Sequence, residues 1–201
     1  MTIQPALARS ADISNWIDSL IHGLECPTSD REVMAAALFD QVHEHHKAIH
    51  LLLESSFVGS AFSLLRPTFE TFVRGVWLWH CASDKEVAKF AKDQINGKSF
   101  GVLIEEIETR PGYDVGVLSK VKKEGWSAMC SYAHGGYLQA VRRITLGHIT
   151  ASYSDDEMME VINSSSTIAL LAAAEIFSMA KRKDLVEAVL DQMGGTSVMP
   201  A

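Results

Sequence analysis

The apolar residues of this chain recur at intervals of three and four positions, which is the period of an α-helix. Ser-x-x-Glu sequences precede three such stretches, at Ser29, Ser83 and Ser154, and this pattern is typical of a capping box at a helix start. The pattern predicts about eight helices, with ends uncertain by about 2–4 residues, over residues 10–24, 30–56, 60–82, 84–97, 99–109, 116–132, 136–147 and 155–192. The last helix either continues or breaks near residues 181–183.

The predicted helix 60–82 is apolar around most of its circumference, as a helix at the centre of a domain is. One narrow polar stripe interrupts it, with Arg66, Glu70 and Arg74 spaced four residues apart, so that Glu70 can contact both arginines. Because buried charges must be paired, this stripe is either a structural ion-pair ladder or a site where the arginines bind an anionic ligand.

Length and composition predict a single all-α domain built as a helical bundle over residues 1–201, with flexible ends at 1–10 and 194–201. Hydrophobic residues make up 47% of the chain, which is enough for a sizeable core. The formal net charge of −7 excludes a basic surface over the whole chain, of the kind that binds nucleic acid, but leaves room for a local basic patch.

Cysteine usage and hydropathy favour a reducing, cytoplasmic location. Cys26, Cys81 and Cys130 are far apart and odd in number, and this argues against a disulfide framework. The first 14 residues lack the apolar segment of a secretory signal. The longest apolar run, residues 168–180, is too short to span a bilayer and predicts a buried core helix, so no membrane partner is expected.

Several histidines lie on the predicted second helix. His46 and His50 have the i, i+4 spacing of two metal ligands on one helix, and His43 and Glu54 lie near the same edge. The paired Glu-x-x-His motifs of a di-iron bundle are missing from the sequence. We therefore expect histidines at the edge of the core and no metal or cofactor, with a metal site at these four residues as a weaker alternative.

A third group of polar residues follows Trp126. A glycine pair comes directly after His134 and predicts a helix end there, which would leave the ring free to enter a cleft. His134 is then either a packing residue or a group for proton transfer. Trp126 and Ser131, with the arginine stripe, are the candidate ligand-binding residues. Arg142-Arg143 and His148 form a local basic spot that is either a solvated surface or part of a site.

The chain resembles a bacterial family of all-helical proteins of unknown function. The resemblance rests on Arg-Pro-x-x-Glu-x-x-x-Arg-Gly, here residues 66–75, and on His45-His46, Trp126, Ser131–Gly135 and Arg142-Arg143. More distantly, the chain is similar to abortive-infection helical bundles and to HEPN domains. That similarity implies dimerisation and, for some members, RNA cleavage by an Arg followed four to six residues later by a His. Here Arg142 or Arg143 fits this spacing to His148, although after Arg143 it is Ile144 that stands where that group has a polar residue.

These observations lead to three hypotheses about function. The first is a non-catalytic binding or interaction module that forms a homodimer, supported by the aromatic-rich stretch 73–79. The second is a protein that acts on nucleic acid or nucleotides, such as a ribonuclease in defence or stress, with Arg143, His134 and His148 as catalytic residues and RNA or another anion as ligand. The third is the metal-binding bundle.

Overall fold

The protein, described by a computed structural model over residues 2–25, 28–94 and 98–194, is an all-α bundle, as predicted. In these residues the chain forms nine helices and one short antiparallel hairpin. The elements in chain order are α1 (Gln4–Ile21), α2 (Asp30–Glu54), α3 (Val58–His80), α4 (Asp84–Phe90), α5 (Phe100–Ile107), α6 (Val117–Ala133), α7 (Tyr137–Val141), β1 (Ile144–Thr145), β2 (His148–Ile149), α8 (Asp155–Met179) and α9 (Lys183–Gly194).

All three predicted capping boxes are present, and they begin α2, α4 and α8. At the start of α4 the backbone N–H of Ser83 donates to the Glu86 carboxylate at 2.8 Å. This hydrogen bond is the main reason why the pKa of Glu86 is lowered to about 2. The sequence pattern therefore predicted these helix starts because each cap is made by residues three positions apart.

Helix α3 is the central helix of the bundle, as its apolar circumference predicted. It packs against α2, α5, α6 and α8. Gly75 lies where α2 and α3 approach most closely, because the Phe39 ring fills the space beside it. A Cβ atom at this position would lie 2.6 Å from Cε1 of Phe39, so only glycine fits without a shift of the ring or the helices.

Several predicted boundaries are corrected by the structure. Helix α1 begins at Gln4, so residues 4–10 are helical, and α4 ends at Phe90 rather than at residue 97. The break that the sequence allowed near residues 181–183 is present: the segment is divided into α8 and α9 around Lys181, which has a positive φ of 57°. Cys81 and Cys130 are free thiols, whereas Cys26 and the predicted flexible residues 195–201 lie outside the described residues.

The largest correction concerns the predicted helix 136–147. The helix ends at Val141, and the chain then forms a hairpin in which Ile144 pairs with Ile149 and Thr145 with His148. The two turn residues, Leu146 and Gly147, have φ values of 50° and 81°. Two successive positive φ values are the geometry of the tight hairpin turn that follows the twist of paired strands.

Helix α8 satisfies the length and composition of a membrane-spanning helix, but it has the position of a core helix. It packs on α1, α2, α3 and α9, and eleven of its side chains are buried. The prediction that the apolar run 168–180 belongs to a buried core helix is therefore confirmed over the residues of this run that lie in α8.

Candidate functional site

Arg66 is the centre of the polar group that the sequence predicted on α3. Its Nη2 donates a hydrogen bond to Oε1 of Glu70 at 2.8 Å, and its Nη1 contacts Nε2 of His134. The guanidinium carbon lies 4.8 Å from the centre of the Trp126 ring, within the range of a cation–π contact. The side chains of Glu70, Trp126 and His134 therefore meet at the guanidinium group of Arg66.

Helix α6 brings two of these partners to α3. Trp126 lies in the helix, stacked on Phe100 of α5 with ring centres 4.6 Å apart and planes inclined by 15°. His134 is the residue at which α6 ends, and its backbone N–H donates to the Cys130 carbonyl. Gly135 follows with a φ of 65°, which turns the chain sharply and leaves the His134 ring exposed beside Arg66.

This group of residues holds the positively charged guanidinium of Arg66 in place and leaves one side of it accessible to solvent. Arg66 exposes 19% of its side chain, and its Nε is buried without a hydrogen-bond partner among the described residues. Because a guanidinium only donates, Nε2 of His134 is the acceptor in this contact. The exposed ring of His134 is the one partner that an anion from solvent can replace on Nη1 without disturbing Glu70 or Trp126.

The predicted contact between Glu70 and Arg74 is absent. In the part of the chain that the structure describes, Glu70 pairs with Arg66, and Arg74 makes neither a hydrogen bond nor an ion pair. Arg74 is half-buried one turn further along α3. Trp126 and His134 also contact Arg66. The Glu70 carboxylate therefore has a fixed guanidinium as its partner at Arg66.

Ser131 has a structural contact instead of a free hydroxyl. Its Oγ accepts a hydrogen bond from the backbone N–H of Leu138 at 3.0 Å and so satisfies a free donor in the first turn of α7. A Cβ atom on Gly136 would lie 2.6 Å from this Oγ, so the second glycine of the pair is required for the close approach of α7 to α6. A role of Ser131 in ligand binding stays a prediction.

The histidines of α2 form a hydrogen-bonded polar network in the core. Ser165 donates its hydroxyl hydrogen to the Ile162 carbonyl, so Nδ1–H of His46 donates to Ser165 at 3.0 Å, and Nε2 accepts from Ser10 at 3.3 Å. Nε2–H of His43 donates to the Ala169 carbonyl at 3.0 Å. Burial lowers the pKa of both rings, to about 4 for His46.

This network does not have the arrangement of a metal site. Residues 2–25, 28–94 and 98–194 contain no group of three or more His, Cys, Asp or Glu side chains that could hold an ion. The alternative set of His43, His46, His50 and Glu54 does not converge, because the rings of His43 and His46 turn to different partners on α8. Helical spacing placed these residues on one side of α2, but the packing of α8 determined where each ring points.

Arg143 and His148 lie on the hairpin rather than on a helix. The pairing of Thr145 with His148 puts Arg143 and His148 on the same face of the two strands, as diagonal neighbours. Both side chains are exposed, and among the described residues neither makes a hydrogen bond or an ion pair. Arg142, in contrast, pairs with Glu157 at the start of α8 and lies over the Tyr153 ring.

One buried polar group was not found from the sequence. Glu175 of α8 accepts a hydrogen bond from the Tyr113 hydroxyl at 2.6 Å and lies 2.8 Å from Nε2 of His80. Burial, followed by the charge of Glu175, raises the pKa of Tyr113. The sequence signal that could have indicated this group is the carboxylate of Glu175 inside an apolar run, because a carboxylate removed from water requires partners.

Exposed apolar side chains are concentrated between residues 137 and 149. Tyr137, Leu146 and Ile149 expose 77%, 94% and 91% of their surface, and three neighbours are also exposed. We call this region the hairpin surface; it consists of Tyr137, Leu138, Val141, Ile144, Leu146 and Ile149. The aromatic-rich stretch that suggested an oligomer interface is different, because Val73, Val76, Trp77 and Leu78 are buried in the core.

Comparison with known proteins adds a family to this description. The family model of DUF6988, a family of unknown function, matches residues 39–194. The matched range includes α3, which carries Arg66 and Glu70, and α6, which carries Trp126 and ends one residue before His134. No curated protein and no solved structure matches the chain. Because the match extends over most of its length, the chain belongs to DUF6988, a family of unknown function.

Proposed function

We propose that this protein is a non-catalytic interaction module that associates with a second copy of itself through the hairpin surface. The observation that carries the proposal is the exposure of six apolar side chains within thirteen consecutive positions, residues 137–149. Contiguous exposed apolar side chains next to polar residues are typical of a protein–protein interface.

Leu146 provides the strongest local argument. Its side chain is 94% exposed, and its backbone has a φ of 50°, a conformation that an L-residue other than glycine adopts at a cost of about 1–2 kcal/mol. Neither feature stabilises the isolated chain. The hairpin turn accounts for the positive φ, and a contact that buries the Leu146 side chain would account for an apolar residue at so exposed a position.

The segment that carries the hairpin surface is attached to the bundle on both sides of the hairpin. Nε2 of Gln139 in α7 donates to the Gly59 carbonyl at 3.0 Å, and the Tyr153 hydroxyl donates to Oε1 of Gln139 at 3.0 Å. Arg142 pairs with Glu157 of α8. These contacts fix the segment at both ends, so little conformational entropy is lost when a partner binds.

Sedimentation of the purified chain from micromolar to millimolar concentration tests this proposal. We expect the wild type to reach twice the 22.1 kDa mass of one chain. The double substitution Leu146→Asp and Ile149→Asp should raise the dissociation constant about tenfold or more, because each buried leucine or isoleucine contributes about 1.5–3 kcal/mol.

The matched control is Leu51→Asp, which removes a leucine that is 59% exposed on α2 and is not part of the hairpin surface. This variant should dimerise like the wild type. A wild type that stays monomeric at every concentration would overturn the proposal, as would equal effects of the hairpin and the control substitutions.

A second candidate function is the binding of an anionic group, such as a phosphate or a carboxylate, at Arg66 and His134. The specific observation is that Glu70 and Trp126 fix the guanidinium, while its third contact, His134, is exposed to solvent. A fixed arginine binds an oxyanion with charge-assisted hydrogen bonds, each contributing about 1.5–3 kcal/mol.

Titration with inorganic phosphate, followed by Trp126 fluorescence, tests this second candidate. We expect Arg66→Gln to raise the dissociation constant of phosphate by about tenfold or more, and His134→Ala to lower it, because the His134 ring no longer competes for Nη1. Arg143→Gln, which removes a guanidinium elsewhere, should leave the constant unchanged, and Trp126→Phe should remove the fluorescence signal. Absence of phosphate binding by the folded wild type would exclude this function.

A further inference from the structure

A groove runs between α6 and α8 above the central helix. Both helices pack on α3, and the space between them has a volume of about 580 Å³. Its lining is mainly apolar, and four polar side chains of α8 also contribute to it. The main apolar lining residues are Phe69, Phe72, Leu118, Val121, Ile168 and Leu171. A groove of this size and composition is typical of a binding site rather than of a packing defect.

Two carboxylates without a cationic partner lie along this groove. Glu160 of α8 lines it, and Glu124 of α6 lines an adjoining space of about 300 Å³ that shares Phe69, Val121 and Glu160 with it. Neither carboxylate forms an ion pair with any residue that the structure describes. An occupant that is apolar and carries positive charge would therefore complement the groove.

The hairpin of the same chain has these properties. Leu146 at the turn and Ile149 on β2 are almost fully exposed apolar side chains. Arg143 and His148 lie on the opposite face of the strands from Ile149, and Arg143 has no ion-pair partner among the described residues. The hairpin thus combines an apolar tip with a basic face, which complements the groove in both respects.

We propose that the groove between α6 and α8 receives the hairpin of a second copy of the chain. Leu146 at the tip contacts the apolar floor, Ile149 contacts Val121 on the α6 side, and Arg143, on the other face of the hairpin, pairs with Glu160 on the α8 side. This inference rests on the self-association proposed above and names the surface that the hairpin binds. Because each copy has one hairpin and one groove, two copies can exchange contacts in a closed dimer, which prevents growth into a filament.

Charge reversal tests the predicted pair. Arg143→Glu and Glu160→Arg should each raise the dimer dissociation constant about tenfold or more, since like charges across an interface cost several kcal/mol. The double variant, which restores opposite charges in both contacts of the dimer, should recover to within about threefold of the wild-type constant. Lys85→Glu on α4 makes the same charge change elsewhere and should have no effect.

Blocking the groove provides an independent test. Ser164 is half-buried in the groove wall, and Ser164→Phe should fill the space and weaken the dimer about tenfold or more, while leaving the helical circular dichroism unchanged. A dimer that depends on Leu146 but responds to neither Ser164→Phe nor charge reversal would overturn the groove assignment alone. A wild type that never dimerises would overturn the self-association on which this inference rests.

Discussion

Between pH 7 and pH 5 the free energy of unfolding is expected to fall by about 2 kcal/mol because of His46. The ring is 1% exposed, and burial lowers its pKa from 6.5 to about 4 in the folded protein. The nearby His43 and His50 lower it further because their positive charges would repel a charged His46.

The direction follows from proton binding in the two states. As the pH falls below 6.5, His46 of the unfolded chain takes up a proton, whereas the folded chain keeps the ring neutral until about pH 4. The stability contributed by the neutral ring is therefore fully present above pH 6.5 and is lost as the pH decreases toward 4. His43, whose pKa burial also lowers, acts in the same direction.

Urea unfolding at pH 7, 6 and 5 measures this effect. His46→Gln should lose the part of the pH dependence that His46 contributes and keep that of His43, because the glutamine amide can still hydrogen bond to Ser10 and Ser165 but does not titrate. His148→Gln changes an exposed histidine and should keep the wild-type dependence. An equal decrease in stability in the wild type and in His46→Gln would show that the ring does not carry the effect.

Gly75→Ala is expected to lower the free energy of unfolding by about 2 kcal/mol, although alanine favours a helix over glycine by about 1 kcal/mol. The new Cβ would lie 2.6 Å from Cε1 and 3.0 Å from Cδ1 of Phe39. The Phe39 ring is fully buried between α2 and α3, so it can move only if the two helices separate.

Gly101→Ala is the matched control for this substitution. Gly101 also lies in a helix, but the nearest atom to an added Cβ is Nζ of Lys122 at 2.8 Å, the end of a flexible side chain that can turn away. This variant should therefore gain up to about 1 kcal/mol in stability from helix propensity. Thermal and urea unfolding of the two variants compare them directly, and equal changes would contradict the close approach at Gly75.

Arg66 has features of both interpretations of the polar stripe, the structural ion pair and the site for an anionic ligand. Its contact with Trp126 connects α3 to α6, while its bond to Glu70 lies within α3, and together these two contacts have the character of a structural lock. Its contact with His134 is at the surface, where a ligand can compete for Nη1. A lock that fixes an arginine also prepares it for an oxyanion, because little side-chain entropy is then lost on binding.

The sequence by itself determined the all-α fold, the starts of α2, α4 and α8, and the central position of α3. These features depend on contacts within one turn of helix, or on the period of one helix, and both can be read from neighbouring positions. It also identified Arg66, Glu70, Trp126 and His134 as candidates, because charged and glycine-flanked positions stand out in an apolar helix.

Only the tertiary structure decided which candidates meet. The packing of α6 on α3 brought His134 and Trp126 to Arg66 and left Arg74 without a partner among the described residues, and the packing of α8 directed His43 and His46 to separate acceptors. The hairpin also escaped prediction, since short β segments are stabilised by pairing across a turn and have too few residues to show a period. Contacts between residues far apart in the chain depend on how whole helices dock, which no local pattern encodes.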